Sequence, residues 1–270
     1  MTESIFTRIA RREADAHVVF ETERVMAILD IAPAREGHTI LFPKEPYQVL
    51  AQIPDETLVD LFLALKILRH ATIVQDRSIT GLISLIAQGS AAGQRAPHLI
   101  VHTIPRSPDD GLFPNERRAH TDGPEALAHV FERSDGLTIR PSDPAVVAGE
   151  VVVIDQSCTV FEELDASRIG IFASAVREVS SAVFEAVNAQ GTNILIESGA
   201  FQQTPGALAH IVPRTEEDGL MFEWDPDPGA DIRAVAERLT QAIQRVTRTK
   251  TPQRMTQNTN YLLKQLERLP

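Results

Sequence analysis

The chain has 270 residues, 43% hydrophobic and 23% charged, enough for one large or two small domains around an ample core. Its net charge of −11 argues against a nucleic-acid backbone as partner, because that partner selects a basic face. No apolar run has membrane-spanning length and no charged-then-apolar start marks a secretory signal. The single cysteine, Cys158, excludes an intramolecular disulfide framework, so a reducing cytoplasm is the expected setting.

In chain order, residues 4–20 read as a short helix feeding a strand at 17–21. Residues 25–31 and 38–43 are two further strands, joined by a loop holding Pro33 and Gly37. Asp55 and Glu56 then open a long helix to about residue 76, with Leu58, Leu61, Phe62, Leu65 and Leu68 at helical spacing. A strand at 81–87 follows, and then the stretch GQRAPHLIVHTIPR, residues 93–106. Pro97 and Pro105 bracket this stretch and its second half is β-branched, which favours a strand. Residues two apart on a strand share a face, so His98, Ile100 and His102 form one row. His98 and His102 would then stand roughly 13 Å apart at about 3.3 Å per residue, too far to chelate one ion.

The same order of elements recurs. HTIPRSPDDGLF (102–113) matches HIVPRTEEDGLMF (210–222), TGLISLIAQG (80–89) matches TNILIESG (192–199), and GHTILFPK (37–44) corresponds to GEVVVIDQ (149–156). A second long helix is expected near 165–188. The simplest reading is two copies of a roughly 110-residue unit, divided as 1–115 and 124–270, with a linker rich in Pro, Asp and Gly around 107–124. Ile232, Val235, Leu239, Ile243 and Val246 mark an amphipathic helix, and Thr251-Pro252 breaks it before another that ends near Leu269.

The stretch 93–106 and the stretch DIAPAREGHTILFPK (30–44) together resemble the histidine triad (HIT) superfamily of nucleotidyl hydrolases and transferases. The matching residues are Gly93, Gln94, His98, His102, Pro105 and Arg106, with Asp30 and His38 upstream. The resemblance implies an α+β fold of two HIT-like units, each an antiparallel meander with a long helix. The units would form an intramolecular pseudo-dimer with one continuous sheet, to which the C-terminal helices are added. It also implies that Asp30, with Ile31 beside it, accepts ribose hydroxyls, and that a histidine midway between His98 and His102 attacks the α-phosphate. Ile100 stands in that place, and isoleucine has neither a lone pair nor a titrating proton. Ala87 replaces the family's usual asparagine. Arg95 replaces a hydroxyl residue, either as a phosphate partner or as a solvated loop charge.

In the second copy the corresponding row is Gly206, Leu208 and His210, with Glu150 in the place of His38, so any ligand is expected in the first copy. Its nucleotide-binding candidates are Asp30, Ile31, His38, Gly93, Gln94, Arg95, His98 and His102. His98 and His102 remain the candidates for a residual catalytic site. The acidic pairs before Gly111 and Gly219 lack a calcium loop's alternation and read as turns. No phosphate loop, zinc-spaced Cys/His set or G-x-S-x-G occurs, so neither a cofactor nor a metal is expected. Three functions stay open: a nucleotide-binding or regulatory protein that has lost the family chemistry, a hydrolase using water and a histidine base, and an interaction protein without a small ligand. The expected partner is a purine nucleotide or nucleoside phosphate, in a monomeric pseudo-dimer or a homodimer.

Overall fold

The computed structural model describes residues 3–76, 78–107, 110, 112, 131–143, 145–202 and 204–248. Ten strands form one antiparallel sheet. They are β1 (Val18–Glu21), β2 (Val25–Leu29), β3 (Thr39–Pro43), β4 (Gly81–Gln88), β5 (Val101–Arg106), β6 (Phe131–Glu132), β7 (Leu137–Pro141), β8 (Val151–Asp155), β9 (Gly191–Gly199) and β10 (Ala207–Arg214). Their order, β1-β2-β3-β5-β4-β9-β10-β8-β7-β6, reads the same from either edge once the two units are exchanged. This is the expected α+β fold of two HIT-like units sharing a sheet.

Within each unit three strands form a meander and the long helix carries the chain to the sheet's centre. There β4 and β9 pair from Gly81↔Gly199 to Gln88↔Thr192. His102 lies opposite Leu85, Leu85 opposite Leu195, and Leu195 opposite His210, so one row crosses the molecular pseudo-twofold. Gly81 and Gly191 hold equivalent corners of this seam. A Cβ on Gly81 would come 2.4 Å from the Ser198 carbonyl oxygen, and one on Gly191 2.7 Å from that of Gln88.

Helices α2 (Asp55–Gln75) and α3 (Ala166–Ala186) cover one face of the sheet. The two capping positions differ: Asp165 caps α3 through its side chain to the Ser167 N–H, whereas Pro54 precedes α2 without such a bond. Helix α4 (Ile232–Arg248) lays Val235, Leu239, Ala242, Ile243 and Val246 against α2 and β1, so the end of the second unit packs on the first. On the opposite face of the sheet, α1 (Ile5–Ala10) brings Phe6 and Ile9 onto Met26, Ile28, Ile40 and Phe42.

The histidine stretch departs from expectation in one respect. β5 begins at Val101, because Pro97 has no N–H to offer and the Leu99 N–H turns away from the ladder to the Tyr47 carbonyl, 2.6 Å off. His98 and Ile100 nevertheless lie on the face of Ile40 and Phe42. Most of the linker and the second C-terminal helix expected from the sequence fall outside the described residues. No described helix is long and apolar enough to cross a membrane.

Candidate nucleotide cleft

Asp30 and His38 flank the loop between β2 and β3, which the Asp30 N–H closes by donating to the His38 carbonyl (3.1 Å). Gly37, at φ +88°, makes the turn that brings His38 into the fold. The His38 ring is fully enclosed, and the Ala34 N–H donates to its Nδ1 at 3.1 Å. A backbone N–H can only donate, so Nδ1 keeps its lone pair and the ring proton sits on Nε2. That proton points at His102 Nδ1, 2.9 Å away, so neutral His102 in turn carries its proton on Nε2. One backbone donor thus sets both tautomers.

Asp30 completes the cluster. Its Oδ1 accepts from the Ala32 N–H (2.8 Å). Its Oδ2 lies 3.7 Å from both His38 Nε2 and His102 Nδ1, beyond hydrogen-bond length. Burial holds the Asp30 carboxyl above the usual carboxylate range, partly offset by the Ala32 N–H. Burial also pushes His38 well below the ordinary imidazole value, with His102 adding to the effect, and pushes His102 down to about 4. Both imidazoles are therefore neutral at pH 7. The three donors lie within 4.8 Å of one another, close enough for a divalent ion. Coordination through His38 Nε2 would drive its proton onto Nδ1, against the N–H of Ala34, so the hydrogen bonds suit protons better than a metal.

Trp224, from the second unit, closes the cleft. Its ring centroid is 5.0 Å from those of both His38 and His102, edge-on to each, and its indole N–H donates to the Ala32 carbonyl at 3.3 Å. Next to the cluster, Ile100 packs into the apolar group beneath α1. His98 is fully buried between Phe6 and Phe42, with ring centroids 5.7 and 5.6 Å away, and its Nε2–H donates to the Pro43 carbonyl (2.7 Å). Burial lowers its pKa, and Nδ1 has no partner among the described residues. The structure therefore joins Asp30, His38 and His102 and holds His98 apart.

A family model described as the HIT domain matches residues 11–109. An uncharacterized HIT-like protein of Methanocaldococcus jannaschii is 35% identical over 107 residues, 40% of this chain and 81% of that protein. The chain belongs to the HIT family. The adenosine 5'-monophosphoramidase of Saccharomyces cerevisiae is 33% identical over 119 residues, covering 44% of this chain and 72% of that one. Among solved structures, an ADP-glucose phosphorylase from Arabidopsis thaliana with bound ADP-glucose is 17% identical and superposes with a TM-score of 0.61. That likeness of fold covers 79% of this chain and 80% of that one, reaching past the first unit of the present HIT protein.

The second unit repeats the frame of the cleft with other residues. The Ser142 N–H donates to the Glu150 carbonyl (3.0 Å) as Asp30 does to His38, and Gly149 takes φ +85° as Gly37 takes +88°. Glu150 accepts the Val146 N–H at 2.6 Å and meets His210 Nδ1 at 2.9 Å. Ser142 Oγ lies 3.4 Å from the same nitrogen, so serine and carboxylate compete for one atom and form no relay through the ring.

The remaining candidates of this HIT chain divide between scaffold and surface. Gly93 sits in a left-handed turn, and Gln94 braces it by accepting the Gly89 N–H (2.8 Å) and donating to the Gln48 carbonyl (2.8 Å). Arg95 is exposed and pairs with Glu223 at 2.5 Å, while Ile31 is 81% exposed beside Asp30. The two acidic turns are clamped by arginine, Arg106 on Asp110 (2.6 Å) and Arg214 on Asp218 (2.7 Å). The sequence reading missed Trp224 and the backbone donor of Ala34. The only local mark on Trp224 is that it is the sole tryptophan.

Proposed function

We propose that this HIT protein binds a nucleoside phosphate in the cleft of its first unit, residues 1–115, and has lost the nucleotidyl transfer step. Residues 124–270 would then be a degenerate unit that completes the sheet and lends Trp224. One observation carries this reading: His38 and His102 keep an ordered hydrogen bond with the Asp30 carboxylate beside them, while the neighbouring position, Ile100, is a half-buried apolar side chain packed against the cluster beneath α1. Asp30 Oδ2 accepts no hydrogen bond from the described residues, which leaves it for a ribose hydroxyl, and exposed Ile31 offers an apolar surface to a base. The relative named as an adenosine 5'-monophosphoramidase supports the choice of a nucleoside monophosphate.

The tautomers favour binding over water-driven hydrolysis. A general base needs a free lone pair, and neutral His102 has given Nδ1 to His38 and has a proton on Nε2. Such an N–H suits a phosphate oxygen.

Calorimetric titration with AMP tests the reading. Saturable binding is expected, weakened about tenfold or more in Asp30→Ala, as for the loss of a charge-assisted hydrogen bond. The parent should hydrolyse no adenosine phosphoramidate. Ile100→His, which places a neutral-pKa group beside His102, should do so weakly. Parent activity equal to that of Ile100→His would disprove the loss of chemistry, and absence of AMP binding would favour an interaction protein.

A further inference from the structure

The first unit's glycine turn, residues 89–95, is held from the second unit. It lies on the start of β9: a Cβ on Gly191 would come 2.9 Å from the Ala92 nitrogen, and one on Gly89 2.7 Å from the Gln190 carbonyl oxygen. Asn193, on β9, donates its side-chain amide to the Ala92 carbonyl at 3.0 Å and accepts from the Arg214 guanidinium through Oδ1. A guanidinium only donates and a carbonyl only accepts, so the amide has one orientation. Both side chains are buried, Asn193 fully. The same guanidinium clamps Asp218 at 2.7 Å, donates to the Leu220 carbonyl at 2.5 Å and lies 5.4 Å from the Phe222 ring centroid. Phe222 is buried in an apolar cluster against which Leu220 and Trp224 pack. One arginine thus holds both the turn and the segment that brings Trp224 to His102.

The fold does not call for an amide at this place. Ile83 holds the equivalent position in the first unit, opposite Ile104 as Asn193 is opposite Val212. The neighbours on that face, Leu85, Leu195 and Val212, are apolar, and an amide buried among them gains nothing over isoleucine unless both its ends are bonded. Arg106, the counterpart of Arg214, lies 4.3 Å from the ring centroid of Phe201 in the second unit's turn. The amide bridge therefore reaches the turn of the unit that keeps Asp30, His38 and His102, and the other turn receives a phenyl ring. The first unit's turn is open: Gly93, at φ +84°, has nothing within 4 Å of a notional Cβ, and the N–H groups of Arg95 and Ala96 make no hydrogen bond among the described residues. Backbone N–H groups beside a left-handed turn suit an anion. Arg95 pairs with Glu223, next to Trp224 on His102, so turn and histidines border one cleft.

We infer that Asn193 is a positioning residue for the first unit's cleft: held by Arg214, it sets the turn at residues 89–95 for the phosphate of a nucleoside phosphate. This rests on the nucleotide-binding reading of the same cleft. It gives the degenerate unit a part in binding besides Trp224.

Asn193→Asp separates the two bonds, because a carboxylate still accepts from Arg214 but turns a second oxygen on the Ala92 carbonyl. Hydrogen exchange followed by mass spectrometry should be faster over residues 89–96 in this variant and unchanged over β8. By calorimetry AMP should bind about tenfold more weakly and adenosine as in the parent, since the turn meets only the phosphate. Asn193→Leu, which loses both bonds, should speed exchange over residues 219–224 as well, and Asn193→Asp carries the test if Asn193→Leu does not fold. Unchanged exchange over 89–96 in Asn193→Asp would overturn the brace. Unchanged AMP affinity, or equal weakening of AMP and adenosine, would overturn the positioning role while nucleotide binding stood. No AMP binding in the parent would overturn the nucleotide reading, and the exchange over 89–96 would still decide the brace: faster supports it, unchanged overturns it.

Discussion

At the scale of single residues, the Ala34 N–H does the most with the least, since it fixes the proton positions of two histidines without touching the second. Neutrality of those rings links stability to pH. His102 titrates at about 4 in the folded chain and near 6.5 when unfolded, so between these values the unfolded state binds more protons. Folding stability is therefore present above pH 6.5 and is lost as pH falls towards 4. His38, also lowered, acts in the same direction, whereas Asp30, raised, loses stability as pH rises from the ordinary carboxylate value. With two rings against one carboxyl the net fall should dominate, on the order of 2 kcal/mol for His102 between pH 7 and pH 5. Thermal melts at the two pH values check this. His102→Gln, which cannot titrate, should show the shallower dependence, and equal slopes would contradict the assignment.

At the scale of elements, α2 shows which parts of the fold could be read in advance. Leu58, Leu61, Leu65 and Leu68 mark it as a helix with one apolar stripe, yet it is buried almost all round because α3 and α4 flank it above the sheet. Lys66 and Arg69 would pass for its solvated side. Instead Arg69 is fully buried and bonded to Glu162 (2.6 Å), Ser84 (2.7 Å), Ser198 (2.8 Å) and the Ile196 carbonyl (3.0 Å), which ties the two units together. Periodicity carries the helices and strands, because each reflects which of its own residues face inward. It carries no address for a long-range partner: Trp224 meets Ala32 across 192 positions. The cluster of Asp30, His38 and His102 was legible through family spacing, whereas the separation of His98 depends on the turn of Leu99 towards Tyr47. Arg69→Met should cost about 3–5 kcal/mol in urea unfolding, since it strands the Glu162 carboxylate in the core. The double variant Arg69→Met/Glu162→Gln should cost less than the single, and a greater loss would mean that the charges are not paired in this way.

At the scale of the whole molecule, the β4·β9 seam makes two units into one sheet. Its corners leave no room: Gly81→Ala sets a methyl against the Ser198 carbonyl and Phe201, and a cost of about 2 kcal/mol is expected by chemical denaturation. The row from His102 through Leu85 and Leu195 to His210 runs unbroken across that seam. Had the two units been identical subunits, any change at one end of the row would have been made at the other as well. Glutamate in the place of His38 would have stripped both clefts of an imidazole at once, and a tryptophan reaching across would have closed both. Joined in one chain, the halves inherit separately. Glu150 can pair with His210 while His38 keeps His102, and the molecule holds two different answers at positions its sheet treats as the same.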